Sequence, residues 1–64
     1  MKSGNPQGPF RIVAYDKDGT TSESTVEFES DAEEAASDMV EDGDSVKTEV
    51  YSAEGGKPLH VYEQ

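Results

Sequence analysis

Ser30-Asp31-Ala32-Glu33-Glu34-Ala35-Ala36-Ser37-Asp38-Met39-Val40-Glu41-Asp42-Gly43 is the stretch on which the fold turns. Ser30 followed by Glu33 has the form of a capping box, with Phe28 just before it. Residues 31–42 are set out at about 100° per residue. Ala32, Ala35, Ala36, Met39 and Val40 then fall within an arc of about 140°, and acidic or small polar residues fill the rest. Gly43 stands where a left-handed cap residue belongs. The stretch therefore reads as one amphipathic helix with a small-residue stripe on its inner face.

Strands flank it on both sides. Upstream, Phe10-Arg11-Ile12-Val13-Ala14-Tyr15 is rich in β-formers, and Asp18-Gly19 gives a turn signal. Ser24-Thr25-Val26-Glu27-Phe28-Glu29 then alternates, with Val26 and Phe28 facing inward and Glu27 and Glu29 outward. Downstream, Val46, Thr48 and Val50 alternate with Lys47, Glu49 and Tyr51. Glu54-Gly55-Gly56-Lys57-Pro58 makes a turn, and Leu59-His60-Val61-Tyr62 closes the chain as a last strand. The expected fold is α+β: a single small ββαββ domain over residues 10–64, mostly antiparallel, with one helix packed on one sheet face. Phe10, Ile12, Val26, Phe28, Val46, Val50, Leu59 and Val61 would form the sheet's half of the core. Residues 1–9 lack the apolar region of a signal peptide and read as a flexible arm.

Composition pulls the other way. The chain has 64 residues and a formal net charge of −10, from 15 acidic and 5 basic side chains. Leu, Ile, Val and Phe number only 10. Such a balance is a warning of disorder, which the periodicities override. Without cysteine, no disulfide or thiolate zinc site is available. Nothing approaches the roughly 20 apolar residues that span a bilayer. Direct binding of nucleic acid or anionic membrane is disfavoured, because phosphate recognition needs Lys and Arg. A cytoplasmic location is expected.

The charge is also clustered. Between Asp18 and Val46 lie 11 acids and no base. Asp31–Glu34, Glu34–Asp38, Asp38–Glu41 and Asp38–Asp42 are like-charge neighbours, each costing a few tenths of a kcal/mol, roughly. Glu41, Asp42 and Asp44 crowd the negative end of the helix dipole. Local physics is sacrificed here without visible structural return, a mark of function or of an unusual solvent. Carboxylates at i,i+4 on a helix lie about 6 Å apart. Those at i,i+2 on a strand lie about 7 Å apart, close to the spacing of phosphates along DNA, also about 7 Å. Glu27, Glu29, Asp31, Glu34, Asp38, Glu41, Asp42 and Asp44 are thus the candidate partner-binding residues, aimed at a basic DNA-binding protein. The competing readings are a plain solvated face and adaptation to high salt.

Tyr15, Tyr51 and Tyr62 are expected together on the sheet face away from the helix. There they either cover the sheet or add a protein-binding hot spot. That open face also leaves room for a homodimer. His60 is expected on an exposed strand face, with no nucleophile or orienting partner to serve. Asp16-Lys17-Asp18-Gly19 has the look of a calcium-loop fragment, but Ala14 and Thr25 break the outer positions, so a hairpin turn is expected. No cofactor, metal or catalytic group is read from the sequence, and an enzyme is not expected.

In size, charge and element order over roughly residues 10–62, the chain resembles the small acidic phage proteins that mimic DNA and occupy gyrase, RNA polymerase, nucleoid proteins or nucleases. Its strand–strand–helix–strand order, with Phe28-Glu29-Ser30-Asp31-Ala32-Glu33-Glu34-Ala35 opening the helix, is similar in outline to the RNA-polymerase inhibitor of T7-like phages. The resemblance implies a non-enzymatic inhibitor. No functional residue is carried over from it.

Overall fold

In the computed structural model, which describes residues 8–64, β1 (Phe10–Tyr15) and β2 (Thr21–Val26) form the first hairpin. The expected arm at residues 1–9 lies almost wholly outside the described residues. The hairpin turn is built by Asp16, Asp18, Gly19 and Thr20. Gly19 has φ +92, and its N–H donates to the Asp16 carbonyl at 3.0 Å. The Thr20 hydroxyl donates to Asp18 Oδ1 at 2.8 Å, and the Thr20 N–H reaches the same oxygen at 3.1 Å. These bonds hold the Asp18 carboxyl below its ordinary pKa.

β2 begins three residues earlier than the alternation suggested, at Thr21 rather than Ser24. The tight turn sets Tyr15 opposite Thr21, so pairing ends where Phe10 meets Val26. β1 has no residue left to pair with Glu27, Phe28 or Glu29. The chain therefore leaves the sheet, and Phe28, expected in the core, is 65% exposed.

α1 (Glu29–Glu41) starts two residues before the expected boundary. Phe28 is its N-cap, extended at φ −117 and ψ 142, and no side-chain cap bond forms. Ser30 is already inside the helix, so the Ser30–Glu33 capping box is not made. The exit agrees with expectation: Gly43 has φ +83, and its N–H donates to the Val40 carbonyl at 3.1 Å. The Gln64 side-chain amide adds a second donor to that carbonyl, also at 3.1 Å.

β3 (Lys47–Tyr51) returns on the far side of β1, and β4 (His60–Glu63) pairs outside it. The result is the expected small α+β domain, a four-stranded antiparallel sheet in the order β2-β1-β3-β4 with α1 packed on one face. Phe10, Ile12 and Val50 meet Ala32 and Ala36 in the core, flanked by Val26, Ala35, Met39 and Tyr62. Full burial of side chains such as Ile12 and Val50 contributes about 1.5–3 kcal/mol each. Thr48 is fully buried, and its hydroxyl donates to the Ala36 carbonyl at 2.9 Å, tying sheet to helix.

β4 has the opposite facing to the one expected. Val50 pairs with His60 and Thr48 with Tyr62, which turns His60 and Tyr62 toward the helix. Leu59 and Val61, expected inside, are 39% and 48% exposed. A one-residue change of register exchanges the faces of a strand. Here it gives the core edge a tyrosine ring instead of a valine, and it brings His60 to the start of α1.

Candidate functional site

The acidic residues of α1 divide into two groups by their angle around the helix. At about 100° per residue, Asp31, Glu34, Asp38 and Glu41 fall within about 80° of one another, opposite the buried Ala36. All four are exposed. From Asp31 to Glu41 the stripe runs about 15 Å, at 1.5 Å rise per residue. Asp42 and Asp44, both exposed, extend it past the helix end. Among the described residues, no basic side chain comes within ion-pairing distance of Glu27, Asp31, Glu34, Asp38, Glu41, Asp42 or Asp44.

The expected strand row of Glu27 and Glu29 does not exist. Glu27 is exposed in the connector, and Glu29 is the first residue of α1. Glu29 and Glu33 lie at the margin of the helix's inner face, beside β4. The His60 Nε2 sits 2.9 Å from Glu29 Oε2 and 3.4 Å from Glu33 Oε2. The His60 ring stacks with Tyr62, centroids 6.4 Å apart and planes 19° from parallel. His60 is therefore a partly buried group on the helix side, contrary to its expected place on an exposed face.

The open sheet face holds a different arrangement. Tyr15 and Tyr51 lie there as expected, but Tyr62 packs on the opposite face against the core. Between the two tyrosines is Glu49, only 9% exposed. Both phenols donate to Glu49 Oε1 at 2.9 Å, and Lys47 Nζ lies 3.6 Å from its Oε2. Lys47 Nζ is 5.6 Å from the centre of the Tyr15 ring, and the Arg11 guanidinium is 5.0 Å from that of Tyr51. The bond from Tyr15, followed by that from Tyr51 and the charge of Lys47, lowers the Glu49 pKa against the opposing effect of burial. The same bonds raise both tyrosine pKa values. Tyr62 is raised chiefly by burial, and secondarily by the charge of Glu33.

Tyr15 and Tyr51 thus belong to an internally satisfied network rather than a free aromatic patch. Sequence reading missed the role of Glu49; its i,i+2 spacing from Tyr51, which puts both on one face of β3, was the available signal, while the approach of Tyr15 depends on the pairing of β1 with β3. It missed the Glu29–Glu33–His60 group as well. The i,i+4 spacing of Glu29 and Glu33 is visible in the sequence, but the alternation of residues 24–29 places Glu29 in a strand.

The group's half-buried carboxylates and imidazole bring three potential ligand atoms together, whereas the stripe presents charge to solvent. No protein-family model matches the chain, and no curated protein or solved structure matches it. Among the described residues, no helix is long and apolar enough to cross a membrane.

Proposed function

We propose that this chain is a non-enzymatic binding protein that mimics DNA. It would inhibit a host DNA-binding protein, of the gyrase, RNA-polymerase or nucleoid type, by occupying its basic DNA-binding surface. The single observation that carries this reading is the exposed row Asp31, Glu34, Asp38 and Glu41, without a neighbouring cation among the described residues and continued by Asp42 and Asp44. Carboxylates about 6 Å apart on a rigid helix approximate the spacing of backbone phosphates, about 7 Å. The stripe is set on an element whose opposite side is locked into the core by Ala32 and Ala36. Such a surface would attract a basic groove from a distance, so association should be fast and salt-sensitive. The reading places the protein in the cytoplasm, where such partners work.

The test is capture from a bacterial lysate at low and high salt, with the wild type and the double variant Glu34→Lys/Asp38→Lys. Wild type should retain DNA-binding proteins at low salt and release them at high salt. The folded double variant should lose them. Equal capture by both, or an empty low-salt lane, would sink the mechanism.

A second reading has its own support. Acid also occurs away from the stripe: Asp16 and Asp18 in the first turn, Glu23 on the open sheet face, Glu63 on β4. Acid on several faces suits a salt-adapted accessory domain without mimicry. Collapse of the fold below molar salt would favour that reading, and stable folding in dilute buffer would count against it.

A further inference from the structure

We propose that Glu29, Glu33 and His60 form a binding site for a divalent transition-metal ion of the Zn²⁺ type. The site does not use the carboxylate stripe, and it stands whether or not that stripe meets a DNA-binding protein. Three observations support it.

The first is the donor set. One imidazole nitrogen and two carboxylates come from two elements, α1 and β4, and their three ligand atoms all lie within 4.8 Å of one another. Imidazole suits zinc and its neighbours rather than magnesium or calcium, which prefer oxygen alone. The second is distance. Around a tetrahedral ion with bonds of about 2.0–2.1 Å, adjacent ligand atoms stand about 3.3 Å apart. His60 Nε2 already stands 2.9 Å from Glu29 Oε2 and 3.4 Å from Glu33 Oε2. Metal entry between the three would require small side-chain adjustments, not a new backbone.

The third is the convergence of two carboxylate oxygens on one nitrogen. A single imidazole Nε2 carries at most one proton, which can make one well-directed bond. Two anionic oxygens converge on that nitrogen. A metal ion satisfies all three ligands, with Nε2 deprotonated and both carboxylates bound. Tyr62, stacked on the imidazole, restrains the ring. All three side chains are partly buried, at 29%, 34% and 42% exposure for His60, Glu29 and Glu33. The positive end of the helix dipole opposes a cation at this position, whereas the net charge of −10 favours one. Three protein ligands would leave a fourth position for water.

Because the ligands join the start of α1 to the last strand, binding should also stabilise the fold. The experiment titrates the purified chain with Zn²⁺ alone, in the presence of excess Mg²⁺, by calorimetry and thermal melting. Co²⁺ serves as a spectroscopic probe. The wild type should bind one Zn²⁺ saturably, gain about 5 °C or more in Tm at saturation, and show a visible Co²⁺ band. His60→Gln and Glu33→Gln should each weaken binding by at least about tenfold, whereas Glu23→Gln on the opposite face should not. Glu33→Gln changes the more exposed ligand and keeps the test valid if His60→Gln unfolds. Several weak sites suppressed by Mg²⁺, or undiminished binding in a folded Glu33→Gln chain, would overturn the proposal.

Discussion

Glu49 and Asp38 are both carboxylates on a domain that already carries too many, yet their surroundings are opposite. Glu49 lies at the centre of the open sheet face, accepts from Tyr15 and Tyr51, and has Lys47 beside it. Asp38 lies on the outer side of α1 among Glu34, Glu41 and Asp42, without a cation in ion-pairing distance among the described residues. Among the described residues, the basic side chains that could have neutralised the helix sit elsewhere: Arg11 and Lys47 on the open sheet face, and Lys17 and Lys57 in loops. One region spends its cations on fixing a buried acid, and the other leaves its acids to a partner or to solvent. Total charge does not separate these roles; hydrogen-bond partners and burial do.

The sharpest way to break the comparison is to delete Glu49. Glu49→Ala removes the common acceptor of two part-buried phenols and the anion facing Lys47. A loss of about 1–2 kcal/mol is expected in urea unfolding, moderated because the phenols can turn to water. Removing Glu34 in the same way should cost nothing measurable. A loss at Glu49 no larger than at Glu34 would show that the network on the sheet face adds no more stability than an exposed carboxylate does.

Acid provides a gentler version of the same test, since it removes only the charge. Hydrogen bonds from Tyr15 and Tyr51 hold the Glu49 pKa below its ordinary value in the folded state. Its contribution is therefore fully present above the unfolded-state value, about 4.3, and is lost as pH falls through the lower folded-state value. The fall in stability below about pH 4.3 should be shallower in Glu49→Gln than in wild type. Parallel curves for the two proteins would assign acid sensitivity to other groups.

The helix and the first strand were legible in the sequence because their patterns are long enough to discriminate. Thirteen helical residues separate Ala32, Ala36 and Val40 from Asp31, Glu34 and Asp38 unambiguously, and Gly43 marks the exit. The acidic stripe came with them. The four-residue β4 has no such redundancy. In Leu59-His60-Val61-Tyr62, one parity offers two aliphatic residues and the other an imidazole and a large ring, and only the pairing with Val50 and Thr48 decides between them. The Glu29–Glu33–His60 group depends on that decision and on Glu29 belonging to the helix, so it was hidden twice. Likewise, the end of β2 was set by where β1 begins, which no pattern within residues 24–29 records.

The smallest expected effect has the opposite sign. Asp38→Lys replaces repulsion from Glu34, Glu41 and Asp42 with three attractions at i,i+4 or i,i+3 spacing. Each such pair is worth about 0.2–0.5 kcal/mol, and a base nearer the helix C-terminus also suits its dipole. Full exposure and the entropy of holding a long lysine side chain keep the net gain well below the sum of these pairs, at up to about 1 kcal/mol in low-salt urea unfolding. Added NaCl at about 0.5 M should raise wild-type stability by screening the stripe, and it should shrink the advantage of the variant. Should Asp38→Lys instead be neutral at low salt, the stripe would not be costing the fold anything, and the proposal that it is a surface kept for a partner would lose the local conflict on which it rests.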